Sequence, residues 1–192
     1  MRQTEAGMDT QKQRFREVKE KMLGEERLRA SIGTLSEKTT HMILKNYYEP
    51  DVDKQEIPIG NYVADIFTGS EIMEIQTGSL APMRKKLQSL LGQYPITVVY
   101  PIPRVKYLSW IDENTGECSK PRKSTVKGSV YRAFSELYKI KPFLHDPNLR
   151  LCFPYLEIRE YRLLNGWSRD KKKGSMRYDR IPAALLDEIR IN

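Results

Sequence analysis

The sequence predicts an α/β protein whose central mixed β-sheet is flanked by helices. Three patterns lead to this class: a periodic helical run that ends near residue 48, alternating β segments over residues 55–76, and a strand–helix–strand order over residues 72–100. A chain of 192 residues with 39% apolar side chains can close one sizeable hydrophobic core. We therefore expect one domain.

The first 33 residues are predicted to form a charged helical extension. Residues 9–30 place a few apolar side chains, among them Phe15 and Met22, within a dense run of charge. That pattern is typical of a helix that faces solvent. Gly24 is expected to break this helix.

A core segment is predicted over residues 34–103, with residues 104–192 completing the same domain. Thr34 and Glu37 have the spacing of a capping box, in which two side chains satisfy free N–H groups at the start of a helix. This helix should run to about Tyr48, and Pro50 ends it.

Residues 55–76 should form a meander of three strands. Apolar and polar residues alternate over 62–67 and again over 72–76, and Gly69-Ser70 lies between these two segments. Glycine at the first position of a two-residue loop favours a type II′ hairpin turn.

A helix and a buried strand follow the meander. Ser79 can cap the helix, and Gly92 ends it. Its predicted core stripe consists of Leu80, Met83, Leu87, Leu90 and Leu91. Residues 96–100 are almost all apolar, as expected of a strand covered on both faces, so the strand–helix–strand unit should make a right-handed crossover.

The C-terminal part is predicted to contain a hairpin, a helix, a strand and a second short helix. The hairpin begins at residues 107–111, the helix spans about 129–138, and the strand over 149–164 is interrupted near Pro154. Ile181-Pro182 is typical of the start of a short terminal helix.

The hairpin arithmetic brings two acids together. If Gly69-Ser70 closes the loop, paired residue numbers sum to 139, so Asp65 lies opposite Glu74 and Gln76 shares their face. Like charges placed directly opposite are destabilising, and a divalent cation would offset them. Two carboxylates suit Mg²⁺ or Mn²⁺, which activates water for hydrolysis of a phosphodiester. Glu37 is a candidate third acid.

These residues resemble the PD-(D/E)xK nuclease superfamily, which includes Holliday-junction resolvases and many restriction endonucleases. The resemblance covers about residues 34–102 and implies a restriction endonuclease-like α-β-β-β-α-β core. It implies that Asp65, Glu74 and the Ile75 carbonyl bind Mg²⁺, and that Gln76 positions the attacking water. The sequence departs from the family pattern in two places, with Ala64 where many members have proline and Gln76 where lysine is usual.

The net charge indicates a polyanionic partner, either nucleic acid or anionic lipid, without choosing between them; together with the family resemblance, we expect nucleic acid, DNA more than RNA. Thirty-three Lys and Arg against 25 Asp and Glu give a net charge of +8, which attracts polyanions. The candidate phosphate contacts are basic side chains of the helix predicted between Ser79 and Gly92 and of later loops: Arg84, Lys85, Lys86, Arg122, Lys123, Arg169, Lys171, Lys172, Lys173, Arg177 and Arg180.

Two other functions fit the same sequence. One is a catalytically inactive, nuclease-like module that binds DNA or RNA, with Gln76 marking the lost activity. The other is an interaction protein whose charged N-terminal helix docks onto a partner. We expect a cytoplasmic protein with no membrane partner, because no apolar run approaches a membrane span and the N-terminus is polar. A homodimer is possible.

Overall fold

A computed structural model describes residues 5–29, 38–164 and 176–192, so the predicted cap at Thr34 and Glu37 lies outside the described residues. The helices are α1 (Glu5–Arg29), α2 (Lys38–Tyr48), α3 (Met83–Leu90) and α4 (Phe134–Leu137). Short 3₁₀ segments span Val52–Lys54, Val130–Ala133 and Tyr138–Phe143. The strands are β1 (Gln55–Ile59), β2 (Tyr62–Phe67), β3 (Ile72–Ile75), β4 (Ile96–Val99), β5 (Ile102–Ile111), β6 (Arg122–Lys123), β7 (Leu149–Leu163) and β8 (Met176–Ile191).

The strands form one mixed eight-stranded sheet, which confirms the α/β class. Its order is β1-β2-β3-β4-β7-β5-β6, and β8 pairs with the other edge of β7. The meander β1-β2-β3 is antiparallel, whereas β3, β4 and β7 run parallel to one another. Since α3 joins the parallel strands β3 and β4, the predicted crossover unit is present.

The hairpin between β2 and β3 closes as the sequence predicts. Thr68 and Glu71 flank the loop, and the Thr68 N–H donates to the Glu71 carbonyl at 3.1 Å. Gly69 has φ +94°, a conformation that residues with a Cβ rarely adopt. Glycine at this position therefore fixes the turn and, with it, the register of both strands.

Strands β4 and β5 follow the same edge of β7 as one interrupted strand. β4 pairs with the first part of β7 up to Cys152, and β5 pairs with the part that begins at Tyr155. Tyr100 and Pro101 form the break between them. The predicted interruption of β7 at Pro154 is absent, because this proline falls beside the break and β7 continues through it.

Helices cover both faces of the sheet. On one face, α3 and the segment around α4 bury Leu87, Leu90 and Leu137 against β4 and β7. On the other face, α1 and α2 bury Phe15, Ile43 and other side chains against β2, β3 and β7. The predicted stripe of α3 is confirmed, since all five of its apolar residues are buried.

The N-terminal helix differs from the predicted extension. α1 continues through Gly24, and Phe15 is fully buried with its ring edge-on to Tyr47, 5.2 Å between centroids. The Lys19 ammonium donates to the Ala183 carbonyl of β8 at 3.0 Å. α1 is therefore packed onto the core, and its dense charge lies on the side turned away from the sheet.

The C-terminus is also different, because residues 176–191 form strand β8 and not a short helix. β8 pairs with β7 from Leu151–Ile191 to Leu163–Met176. Short apolar stretches fit either a helix or a strand, and here the long neighbouring strand decides the outcome. Within the described ranges, no helix combines the length and apolar character needed to cross a membrane.

Candidate active site

Asp65 and Glu74 lie where strands β2 and β3 begin to separate. The paired positions are Phe67–Ile72 and Ile66–Met73, so the predicted register, in which residue numbers sum to 139, is confirmed. Asp65 and Glu74 come next along this register, just past the last backbone pair.

The two acids replace the missing backbone pairing by bonding to each other's strands. The Asp65 N–H donates to Glu74 Oε1 at 3.3 Å, and the Ile75 N–H donates to Asp65 Oδ2 at 2.7 Å. Each carboxylate thus reaches across the gap between the strands. The sequence predicts that both acids share one open face with Gln76, whereas in the structure each carboxylate bonds to the backbone of the opposite strand.

Each acid has a basic partner from a helix. The Lys86 ammonium of α3 pairs with Glu74 Oε1 and donates to the Val63 carbonyl. His41 Nε2 of α2 lies 3.2 Å from Asp65 Oδ2. Because α2 and α3 pack on opposite faces, the acids are approached from both sides of the sheet.

Sequence reasoning missed both of these contacts. It assigned no role to His41 and gave Lys86 only a contact with nucleic acid. Neither residue is close in sequence to the acid it contacts, so only the docking of the helices brings them together.

The two carboxyl groups have pKa values shifted in opposite directions. Burial, reinforced by the negative charge of Asp65, raises the pKa of Glu74 to about 7, although Lys86 opposes this. Burial also acts to raise the pKa of Asp65, but hydrogen bonds from His41 and the Ile75 N–H outweigh it and lower that pKa. Asp65 is therefore ionised at neutral pH, whereas Glu74 is poised between its two forms.

One oxygen of each carboxylate remains available. The described contacts all fall on Oδ2 of Asp65 and Oε1 of Glu74, and no described residue donates to Oδ1 or Oε2. In the described part of the chain, no group of three or more His, Cys, Asp and Glu side chains is arranged to hold a metal. Mg²⁺ is commonly held by one or two carboxylates and keeps several waters, so this donor pair fits it.

The remaining predicted site residues divide into three groups. Ile75 is buried, and half-buried Gln76 uses its backbone N–H to bond the Val99 carbonyl at 2.9 Å. Four basic residues are exposed: Arg84, Lys85, Arg122 and Lys123. Two more belong to β8, where Arg177 lies near the start of the strand and Arg180 pairs with Glu160. Outside the described residues are Glu37, Arg169, Lys171, Lys172 and Lys173.

A row of exposed aromatic side chains lies around α4, and no sequence pattern singled it out. Tyr131, Phe134 and Tyr138 are 74%, 55% and 72% exposed, and the first two rings meet edge to face at 5.8 Å. Their spacing resembled a buried helix face, which is the usual place for such residues. On the surface they offer flat rings on which bases can stack.

Comparison with known proteins identifies the family of the chain. The model of a family described as a domain of unknown function, DUF8091, matches residues 38–192. The chain belongs to this family. An uncharacterized protein of Treponema pallidum (strain Nichols) is 29% identical over 149 residues, which cover 77% of this chain and 57% of the relative. The chain thus spans less than two thirds of that relative's length, and no solved structure matches it.

The DUF8091 match includes the acid pair and both of its basic partners. It begins at α2, which carries His41, and extends through α3, which carries Lys86. Helix α1, which packs onto the core through Phe15, precedes the matched residues. The candidate site is therefore built entirely from the part of the chain that defines the DUF8091 family.

Proposed function

We propose that this protein is a Mg²⁺-dependent nuclease that hydrolyses phosphodiester bonds of nucleic acid, with Mn²⁺ as an alternative ion. One observation carries the proposal. Asp65 and Glu74 meet between adjacent strands, each with one oxygen available, and the Lys86 ammonium lies beside them. This set combines ligands for a hard cation with a positive group for a phosphate.

The order of elements supports the proposal. The sequence α2-β1-β2-β3-α3-β4 reproduces the α-β-β-β-α-β order of the PD-(D/E)xK superfamily, with Asp65 on the second strand and Glu74 on the third. The antiparallel meander followed by a parallel strand also suits that core. We propose the restriction endonuclease-like core on this basis.

The side chains divide the work of hydrolysis between them. A bound Mg²⁺ would lower the pKa of water and neutralise charge that develops on the phosphate. Asp65 and Glu74 hold the ion, and Gln76 orients the attacking water through its amide. Lys86 brings the ammonium that Gln76 lacks, from a helix instead of from the third position of the strand motif.

Two surface features support nucleic acid as the substrate. Basic residues exceed acidic ones by eight, and Arg84 and Lys85 are exposed on the same helix as Lys86. The aromatic row at Tyr131, Phe134 and Tyr138 adds stacking surfaces for an unpaired strand.

A metal-titrated melting curve tests the proposal. Mg²⁺ or Mn²⁺ should stabilise the wild type by about 2.7 kcal/mol when free metal is 100 times the dissociation constant. Asp65→Asn and Glu74→Gln should remove this response. Glu71→Gln is the matched control, since it alters a partly exposed acid of the same hairpin. An equal response in all four proteins would contradict a metal site.

Cleavage is measured separately, with labelled DNA and RNA in Mg²⁺, Mn²⁺ or chelator. The wild type should cut slowly, and Gln76→Lys should raise the rate if the amide only positions water. Loss of cutting in Asp65→Asn, with unchanged binding of the substrate, would assign catalysis to this site.

A catalytically inactive nucleic-acid-binding module is the second candidate. The observation in its favour is that Lys86 and His41 already accompany the two carboxylates. Charge in the gap is then partly balanced without a divalent ion. This candidate predicts salt-sensitive binding of nucleic acid, no stabilisation by metal and no cleavage.

A further inference from the structure

A cavity of about 230 Å³ opens near the middle of the sheet. It lies at the break between β4 and β5, where Tyr100 and Pro101 form one wall. Thr77, just past the end of β3, forms another. The cavity thus lies beyond the carboxyl ends of the parallel strands β3 and β4, where open α/β sheets commonly bind ligands.

Chain connectivity links the cavity to the candidate active site. Its lining residue Thr40 directly precedes His41, the partner of Asp65, and Thr77 directly follows Gln76. The two sites are therefore joined through two short segments of chain, one within α2 and one just after β3.

The cavity has a surplus of positive charge. Lys106 and Arg180 line it, and both pair with Glu160, at 3.5 Å and 3.0 Å. Arg162 also binds Glu160, through two nitrogens at 2.8 Å and 2.6 Å. Three cations thus share the buried Glu160 carboxylate, and the two that line the cavity, Lys106 and Arg180, can attract an anion.

The two lining cations keep donors available for a ligand. Arg180 uses only Nε on Glu160, and none of the described residues accepts from its two terminal nitrogens. The Lys106 ammonium lies beyond good hydrogen-bond distance of Glu160. A phosphate is the anion best suited to a guanidinium and an ammonium held side by side.

The interior of the cavity suits a ring with polar edges. Ile102, Leu156 and Ile158 give it an apolar floor, and hydroxyl groups of Thr77, Tyr100 and Ser129 stand around it. An engineered apolar cavity of about 150 Å³ binds benzene. A cavity of about 230 Å³ therefore has room for a heterocycle with hydrogen-bonding edges.

The wall of the cavity is fixed by a close backbone approach. The Gly128 N–H donates to the Pro103 carbonyl at 3.0 Å, and a Cβ on Gly128 would lie 2.4 Å from that oxygen. Only glycine fits this contact without displacement of the backbone. The cavity is thus formed before any ligand enters it.

We propose that this cavity binds one nucleotide of a nucleic-acid strand, with the base inside and the phosphate on Lys106 and Arg180. The inference rests on the proposed nuclease function, because it names the part of the substrate that lies beside the scissile bond. In this proposal Arg180 binds the phosphate of that nucleotide. Lys106, which no sequence pattern singled out, binds the same phosphate.

The test measures binding of adenosine 5′-monophosphate and cytidine 5′-monophosphate in chelator, by titration calorimetry. Inorganic phosphate and the matching nucleosides are the comparison ligands. The wild type should bind a mononucleotide at least about tenfold more tightly than phosphate or nucleoside, because only the nucleotide uses both parts of the cavity. Equal binding of phosphate and mononucleotide would overturn the placement of the base.

Variants locate the binding. Lys106→Met should weaken mononucleotide binding by about tenfold or more, and Lys106→Gln gives a second, milder removal of the charge. Ala133→Leu should block the base, since Ala133 is 1% exposed and lines the cavity. Lys120→Met is the control, because Lys120 is exposed and does not line the cavity. Unchanged binding in both Lys106 variants and in Ala133→Leu would overturn the inference.

The two proposals fail in different ways. No mononucleotide binding together with an intact metal response would reject the nucleotide cavity and leave the nuclease standing. Mononucleotide binding that survives Asp65→Asn, in a protein that metal does not stabilise, would support the cavity and reject the nuclease.

Discussion

Lys86 joins the two strands at the candidate site through its pair with Glu74: the same ammonium that meets Oε1 of this acid on β3 donates to the Val63 carbonyl on β2. The Glu74 side chain is only 2% exposed, and the Lys86 ammonium is the cation that pairs with it. Removing one partner of a buried pair leaves the other without compensation.

Lys86→Met should therefore destabilise the protein, by an amount that depends on pH. The folded-state pKa of Glu74 is raised to about 7, and loss of Lys86 raises it further. Below pH 7 the acid escapes the penalty by taking a proton. Above pH 7 the difference in the free energy of unfolding between wild type and variant should grow by up to about 1.4 kcal/mol for each pH unit.

Urea unfolding in chelator at pH 6 and pH 8 measures this gap. Lys85→Met is the control, because Lys85 is exposed on the same helix and its loss should change stability by less than about 0.5 kcal/mol. A gap of equal size at both pH values would mean that Glu74 does not titrate in this range.

Glu160 should make the protein sensitive to acid. Burial acts to raise its pKa, but the hydrogen bonds from Arg162 and the charges of Arg180 and Lys106 dominate and lower it to about 2. A depressed carboxyl pKa adds stability above the unfolded-state value, near 4.5, and this stability is lost as pH falls toward 2. The shift corresponds to about 3 kcal/mol.

Melting curves of the wild type and Glu160→Gln from pH 7 to pH 2.5 check this expectation. The variant should be less stable at pH 7, and the difference should shrink steadily below pH 4.5. Glu157→Gln, on the same strand, serves as the control. A difference that persists unchanged at pH 2.5 would show that the loss is one of packing and not of charge.

The sequence predicted the acid pair because its placement depends on local features. A two-residue loop at Gly69-Ser70 fixes the register of the hairpin, so simple arithmetic brings Asp65 to Glu74. The stripe of α3 and the buried strand β4 were equally local. In each case the pattern lies within about ten residues of chain.

The rest depends on contacts between distant segments. His41 and Lys86 reach the acids only through helix docking, and β8 is a strand only because β7 lies beside it. Phe15 is one of a few apolar residues in a charged helix that the sequence predicts to face solvent, and its burial depends on α2 packing next to it. Local periodicity carries no information about such partners.

Phe15→Ala tests whether α1 belongs to the folding unit. Because the ring is fully buried against Tyr47, its removal should cost about 3 to 5 kcal/mol. Urea unfolding measures the change, with exposed Arg16→Ala as the control, for which less than about 0.5 kcal/mol is expected. A loss below about 1 kcal/mol would show that α1 contributes little to the stability of the core, as the sequence predicts for an extension.

Gly128→Ala should destabilise the protein, whereas Gly92→Ala should not. The new Cβ must push the Pro103 carbonyl away, at a cost of about 1 to 3 kcal/mol. Gly92→Ala is the control, since nothing lies within 4 Å of its Cβ position, and it should be neutral or slightly stabilising. Thermal melts compare the two. Equal melting temperatures would mean that the loop yields without cost.

The break at Tyr100 and Pro101 also has a thermodynamic consequence for anything that binds beside it. Strands β4 and β5 are each held by β7, and the loop that supplies Val126, Gly128 and Ser129 is tied to β5 by the bond from the Gly128 N–H to the Pro103 carbonyl. Ordering a flexible segment consumes conformational entropy that would otherwise appear as affinity. A ligand that enters here meets walls already in place, so the main loss of freedom falls on the ligand itself.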